Sequence, residues 1–472
     1  MVRLSPLTVH GLLPGINCKK CGEVTCLAFA SKLVARTAEV EACTPLFEEE
    51  QYAEKRQKLI ELITPPVVSV KIGGGERTVV VGGEEVLYRH DLTFYHPCAL
   101  AIDISDEMDE ETVKKRAEWA DRLKIERIGK VLTLNLIAVR DVSDDPEKFA
   151  KVVSWVRESA GLPLILCSYN PEAIKAALDV CEMDRPLVYA ATENNWQEIA
   201  PLVKKYNVPV CVSAPDNLTL LKQLAVTLQA YGIKDIVLDP GTFIDNGGLN
   251  RTLQNFALLR RAGIEQEEEG VGFPLLGIPA IAWANGEDPV TNAYTEAIVA
   301  SMLIAKYADI LILHSEDVWS LLPVFTLRQN IYSDPRIHPA IDPGIREIGN
   351  PTPESPVFVT ANFALTYHTI ESDLEDGKID SWILVVDTEG IGIESAVAGR
   401  QFSAVKIKEA IDEFDLESKV SHRVMMLSGL ASRISGETEE ETGWKVIVGP
   451  KDSGGLKAMN LKELWEKKAQ EE

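Results

Sequence analysis

"LILCSYNPEAIKAALDVCEMDRPLVYAA", residues 164–191, holds a buried-type strand (164–168), a helical stretch (171–181) and a second strand (187–191). Both strand runs are apolar throughout instead of alternating, as strands covered on two faces are. The same unit recurs on either side. Upstream lie "ALAIDI" (99–104) and "VLTLNLIAV" (131–139). Downstream lie "VCVSA" (209–213), "IVLDP" (236–240), "PLLGIPAIAW" (274–283) and "DILILH" (309–314). Helical stretches at 111–123, 147–159, 196–206, 217–231 and 291–306 separate them. Eight such strands with helices between them predict an α/β fold with a TIM-type (β/α)8 barrel over 93–320. Asp103, Asn170, Glu193, Asp239 and His314 end up at strand termini, the functional rim of such a barrel. Polar residues also cap strands for purely structural reasons, so the fold alone gives none of them a role.

Beyond the barrel, residues 321–356 contain seven prolines and read as a linker. A second, shorter alternation follows over 357–472. Its strands are "VFVTAN" (357–362), "WILVVDT" (382–388), "VMMLSG" (424–429) and "KVIVGP" (445–450), with helices expected at 366–376, 392–414 and 430–442. This predicts a small open α/β layer of parallel, Rossmann-like type. Each strand ends in small or polar residues, where ligands of open sheets bind; such residues also simply build tight turns.

In the other direction, 61–92 alternates β-branched residues around glycines and reads as a hairpin linker. The glycines lack both a following Lys-Ser/Thr and a G-x-G-x-x-G pattern, which argues against a phosphate loop. Residues 1–60 carry "NCKKCGEVTCLAFASKLVARTAEVEACTP" (17–45), a C-x2-C-x4-C-x16-C array of Cys18, Cys21, Cys26 and Cys43. Zinc sites favour two close pairs. Three close cysteines and a distant one fit a 4Fe–4S cluster better, with zinc as the rival. A helix from about 26 to 38 would let Cys43 return, and Thr44-Pro45 would then stop local structure.

The formal net charge is −24, which disfavours nucleic acid or an anionic membrane as main partner. No apolar run approaches a membrane span and no signal-peptide pattern is present, so a cytoplasmic setting with reduced thiols is expected.

The cysteine segment, "ITPPVVSVKIGGGERTVVVGGEEVLYRHDLTF" (63–94), "NFALTYHTIESDL" (362–374), "VVDTEGIGIESAVAGRQFSA" (385–404) and "VGPKDSGGL" (448–456) closely resemble the large subunit of the corrinoid iron–sulfur protein. In archaea that family is the gamma subunit of the acetyl-CoA decarbonylase/synthase complex. The resemblance runs over essentially the whole chain. It implies a 4Fe–4S domain, a barrel and a C-terminal corrinoid-binding domain, in that order, with Cys18, Cys21, Cys26 and Cys43 on the cluster. It implies a methyltransferase activity in which corrinoid cobalt takes a methyl group from a methyl-tetrahydropterin. The methyl group then passes to the nickel of acetyl-CoA synthase, or the exchange runs in reverse. The implied partners are the small (delta) subunit as heterodimer, the acetyl-CoA synthase subunit, a methyl-tetrahydropterin or its methyltransferase, and a ferredoxin-type electron donor. The cluster would return Co(II) to the nucleophilic Co(I) state, while the transfer chemistry belongs to the cofactor and needs no catalytic side chain.

Four strand edges are the expected corrinoid contacts. Thr360, Asn362 and Thr366 are placed near the lower face. Asp387, Thr388, Gly390, Gly392, Ser428, Gly429, Leu430, Ala431, Gly449, Pro450 and Gly454 complete the set, with the glycines along the nucleotide tail. None of the seven histidines stands in an Asp-x-His-x-x-Gly motif. His368 and His422 read as surface or core residues, so a corrinoid without a protein His ligand is expected. A cobalt-free iron–sulfur barrel enzyme or an electron-transfer subunit is the alternative.

Overall fold

A computed structural model describes residues 5–181, 184–286 and 288–469. The chain divides into two compact units, 1–123 with 133–334, and 124–132 with 335–472.

In the first unit, eight strands pair in parallel: Ala99–Ser105, Leu136–Arg140, Leu164–Cys167, Leu187–Ala191, Val210–Ser213, Ile236–Asp239, Leu276–Gly277 and Ile310–Leu313. They stand in chain order around the sheet. A parallel bridge between Leu238 and Leu275 nearly closes the ring. Asp-Pro and Asn-Pro steps start three of the intervening helices. Asp145, Asn170 and Asp288 cap the free N–H groups, and the proline supplies a preset φ at the first helical position. The hairpin Ser69–Ile72/Val79–Gly82 is antiparallel. Its Val70, Ile72 and Val81 join the core of Ala99, Ala101, Leu136 and Leu276.

Several elements differ from the sequence reading. The expected strand 131–139 is two elements. Ile125–Arg127 and Lys130–Leu132 form a hairpin, and the barrel strand begins only at Leu136. Ile128 and Gly129 both have positive φ, the conformation a two-residue hairpin turn needs. The stretch 274–283 is a two-residue strand followed by a 3-10 helix, Pro279–Asn285, because Pro279 has no N–H for the ladder. Thr44-Pro45 opens the short helix Thr44–Glu48, since proline suits a helix start. The expected linker 321–356 holds most of the helix Val318–Ile331 and the strand Gly344–Ile348.

The N-terminal helices Pro6–Leu12, Cys26–Val34 and Ala53–Ile63 surround their own core of Val9, Leu13, Phe29, Leu33, Leu46 and Leu59.

The second unit carries a five-stranded sheet in the spatial order Gly344–Ile348, Ser381–Val386, Val357–Ala361, Val424–Leu427, Lys445–Val448. Four strands are parallel, as the sequence predicts. The first is an antiparallel edge that the sequence reading missed. From Val357–Ala361 the chain goes to one neighbour, then returns to the other side at Val424–Leu427. The gap between those two strands is the topological switch point.

Candidate functional site

A cavity of about 310 Å³ opens at the carboxyl ends of Val357–Ala361, Val424–Leu427 and Lys445–Val448, at that switch point. Phe358, Val359, Ile393, Met426, Leu427 and Leu456 make an apolar wall. The helix Ala364–Asp376 contributes Leu365, Thr366, Thr369 and Ile370 from one face, at the spacing expected of helix neighbours.

Of the predicted contacts, Thr366, Ser428, Leu430, Gly449 and Pro450 line this cavity. Gly454 sits in the adjoining 3-10 turn Ser453–Ala458. The others do something else. Asn362 is buried, and its Oδ1 accepts hydrogen bonds from Thr388 N (3.0 Å), Thr388 Oγ1 (2.9 Å) and Gly390 N (3.0 Å). Its Nδ2 donates to Ile341 O and Asp387 Oδ1. Asn362, Asp387, Thr388 and Gly390 therefore brace one turn. A Cβ on Gly390 would meet His338 at 2.8 Å. Gly392 begins the helix Ile393–Gly399 as its N-cap. Ala431 is core, and Thr360 is fully buried with its hydroxyl unpartnered. Gly429 lies against the protein's own backbone: a Cβ would come within 2.8 Å of Gly449 O and 3.0 Å of Lys451 N. Sequence reading missed Leu365, Thr369, Lys451 and Asp452. The helical period after Asn362 could have revealed the first two.

His368 Nδ1 pairs with Glu371 Oε2 at 2.8 Å, and His422 Nε2 with Ser355 O at 3.0 Å. Among the described residues no histidine lines the cavity.

At the other end of the chain, Cys18, Cys21, Cys26 and Cys43 line one small pocket together with Asn17, Lys19 and Phe29. The positive φ of Asn17, Lys19 and Gly22 curls the loop around it. The Asn17 side chain accepts from Cys26 N at 2.7 Å. Cys26 and Cys43 are 8% and 5% exposed. Burial pushes the Cys43 thiol up; a Leu46 N–H opposes this, and Cys21, Cys26 and Cys18 push it further. Among the described residues no three Cys, His, Asp or Glu side chains converge as ligands of a single ion. Four thiols on one pocket are a ligand set for a 4Fe–4S cluster or a zinc ion.

The barrel mouth is polar but largely self-satisfied. Asp103, 1% exposed, takes hydrogen bonds from Arg116 (3.1 Å) and Arg140 (2.6 Å), and its Oδ1 lies 2.6 Å from His314 Nδ1. Asp239 accepts from Tyr189 (2.8 Å), Ser213 (3.0 Å) and Gly241 N (2.8 Å). Asn170 caps its helix. Glu193, with Tyr169, Asn195 and Asn217, lines a separate cavity of about 580 Å³.

The fold and these two ends define an α/β-barrel protein with an iron–sulfur-type cysteine pocket and an appended doubly wound domain. Comparisons narrow the class. A sequence model described as "Putative Fe-S cluster" matches residues 13–45, and one described as CO dehydrogenase/acetyl-CoA synthase delta subunit matches 69–460. The chain is 46% identical over 455 residues to the acetyl-CoA decarbonylase/synthase complex subunit gamma of Methanosarcina acetivorans, covering 96% of this chain and 97% of that one. Its Archaeoglobus fulgidus counterpart is 45% identical over 98% of both. The delta-subunit model begins after the cysteine segment, whereas these relatives span it and are named gamma. Among solved structures, a dihydropteroate synthase from Xanthomonas albilineans gives a TM-score of 0.40 at 16% identity, covering 57% of this chain and 99% of that one. The chain belongs to the family of acetyl-CoA decarbonylase/synthase complex gamma subunits, the archaeal corrinoid iron–sulfur large subunits. Among the described residues no helix is long and apolar enough to cross a membrane.

Proposed function

We propose that this chain is the corrinoid methyl carrier of its complex, organised as a cluster domain, a barrel and a C-terminal corrinoid domain. The observation that carries the reading is the apolar cavity at the switch point of the C-terminal sheet, on the same chain as the four-cysteine pocket. A cavity of about 310 Å³ would take an arm of the corrinoid. Thr366, Ser428, Leu430, Gly449, Pro450 and Gly454 would hold that arm. When bound, the corrinoid supplies a cobalt that takes up and releases a methyl group, and the cluster supplies the electron that restores it. The chain's own work is to exclude water from the arm, leave the cobalt face without a histidine, and fix the cluster with Cys18, Cys21, Cys26 and Cys43. A methyl-tetrahydropterin is the proposed donor, and the acetyl-CoA synthase subunit the proposed acceptor. A small delta-type subunit would complete the site, and a ferredoxin-type protein would supply electrons.

Metal analysis and absorption spectroscopy of anaerobically purified protein test this. About one cobalt and about four irons per chain are expected, the latter from the cluster type. Cys26→Ala should keep the cobalt absorption, lose the iron–sulfur signal and lose reductive reactivation. Normal reactivation of that variant would sink the electron-supply role. The barrel-mouth cavity beside Tyr169 and Glu193 favours a second reading, a cobalt-free barrel enzyme; protein with iron but no cobalt would support it instead.

A further inference from the structure

The cavity at the C-terminal switch point is apolar except at one side, and there the polar groups divide into committed and uncommitted. Asp452 Oδ1 accepts from Gly454 N at 3.0 Å and caps the turn that follows. Ser453 donates to Asp373 at 2.5 Å, and Thr369 to Leu365 O at 2.7 Å. Ser428 Oγ accepts from Leu430 N, which leaves its own proton to give. Thr366 is a lining hydroxyl with no hydrogen-bond partner among the described residues. Among the described residues Lys451 is the one lining cation, and it makes no ion pair there.

The loop that carries Lys451 is held in place. Gly429 N donates to Pro450 O at 2.9 Å, which ties the loop carrying Lys451 to the end of the neighbouring strand. A Cβ on Gly429 would lie 3.1 Å from Lys451 Cγ. The missing side chain at 429 is what lets the lysine stem lie flat there. Lys451 is exposed, as suits a lysine that lays its stem on the chain and keeps its ammonium in water. An apolar pocket with one lining cation and two spare hydroxyls at its side matches an arm that joins a flat aromatic base to a single negative charge.

We propose that Lys451 is the specificity residue for the phosphate of the corrinoid's nucleotide arm, with the Ser428 and Thr366 hydroxyls as the accompanying donors. This rests on the corrinoid reading above and adds to it a preference among corrinoids. The chain selects those whose arm carries a phosphate over those whose arm ends in a neutral alcohol.

The test uses full-length, corrinoid-free protein and equilibrium titration followed by absorption, so no turnover is needed. Three probes are compared: cobinamide, which lacks the phosphate; cobinamide phosphate; and cobalamin. Wild type should bind both phosphate-bearing probes about three- to tenfold more tightly than cobinamide, as suits a charge-assisted contact that is partly solvated. That gain should shrink as salt is raised. Lys451→Ala should erase the gain and leave cobinamide affinity unchanged, and Lys451→Arg should keep it. Equal weakening of all three probes by Lys451→Ala, or a preserved gain, would overturn the phosphate assignment. If wild type binds none of the three, the corrinoid reading itself fails, a result distinct from the loss of the phosphate preference alone.

Discussion

The barrel mouth and the edge of the C-terminal sheet are built alike, from parallel strands that end in βα turns, yet they use polar residues in opposite ways. At the barrel mouth, Asp103 is answered by two arginines and a histidine, and Asp239 by a tyrosine, a serine and a backbone N–H. At the sheet edge the cavity is walled by Phe358, Val359, Met426 and Leu427, with only a few donors left over. A polar group whose bonds are filled by its own chain has little left to give a ligand. Capacity remains where an apolar wall meets unspent donors.

The sharpest test of this contrast is Asp103→Ala. It would leave Arg116, itself buried, with the half-exposed Glu316 as its remaining carboxylate partner, and should destabilise the barrel by about 3 kcal/mol. Urea unfolding that shows under about 1 kcal/mol would break the comparison. Burial pushes the Asp103 carboxyl up, but His314, Arg140 and Arg116 outweigh it and hold it below its ordinary value. A carboxyl lowered by folding contributes its stability above its unfolded pKa, about 4. It loses that contribution as pH falls through the lower folded value. The gap between wild type and Asp103→Ala should therefore be full at neutral pH and narrow in acid below about pH 4.

Next in size is Asn362→Ala, which strips three donors of one acceptor. A loss of about 2–3 kcal/mol in the C-terminal unit is expected. Isolated at saturating corrinoid, the variant should still carry cobalt; full stability with no cobalt would restore Asn362 as a direct contact. Gly429→Val should cost about 1–3 kcal/mol through its clash with Gly449 O and Lys451 N. Gly454→Val meets nothing nearer than Asp452 Oδ1 at 3.4 Å. It should keep the fold while lowering corrinoid retention, and the reverse ranking of the two would exchange their roles. The smallest effects belong to His368→Ala and His422→Ala. The cobalt paramagnetic resonance should be unchanged in both, and a shifted spectrum would refute a histidine-free cobalt face.

These contrasts also mark what a sequence discloses. The eight apolar runs of the barrel were legible because burial on both faces leaves no alternation. The C-x2-C-x4-C-x16-C array was legible because ligand spacing is local. The four strand edges were found, but not which of their residues face a ligand. Asn362 and Thr366 look equally suited in one dimension; only the sheet order turns one toward Thr388 and the other into the cavity. Lys451 escaped notice because its meaning depends on Gly429, across a neighbouring strand. The break in 131–139 was hidden because Val131 and Leu132 are as β-prone as the true strand, and only Ile128-Gly129 marks the turn.

That turn carries a consequence for the order of synthesis. The hairpin 124–132 groups with residues 335–472, so it leaves the ribosome about 200 residues before the unit it completes, roughly 10–40 s at ordinary translation rates. During that interval Gly129, whose backbone will pack against the His368 ring, has no partner yet made. A C-terminal fragment begun at residue 335 would lack the hairpin altogether. The smallest piece able to reproduce the native C-terminal unit is therefore not a continuous stretch of chain, and the nascent protein must hold one part of it in waiting.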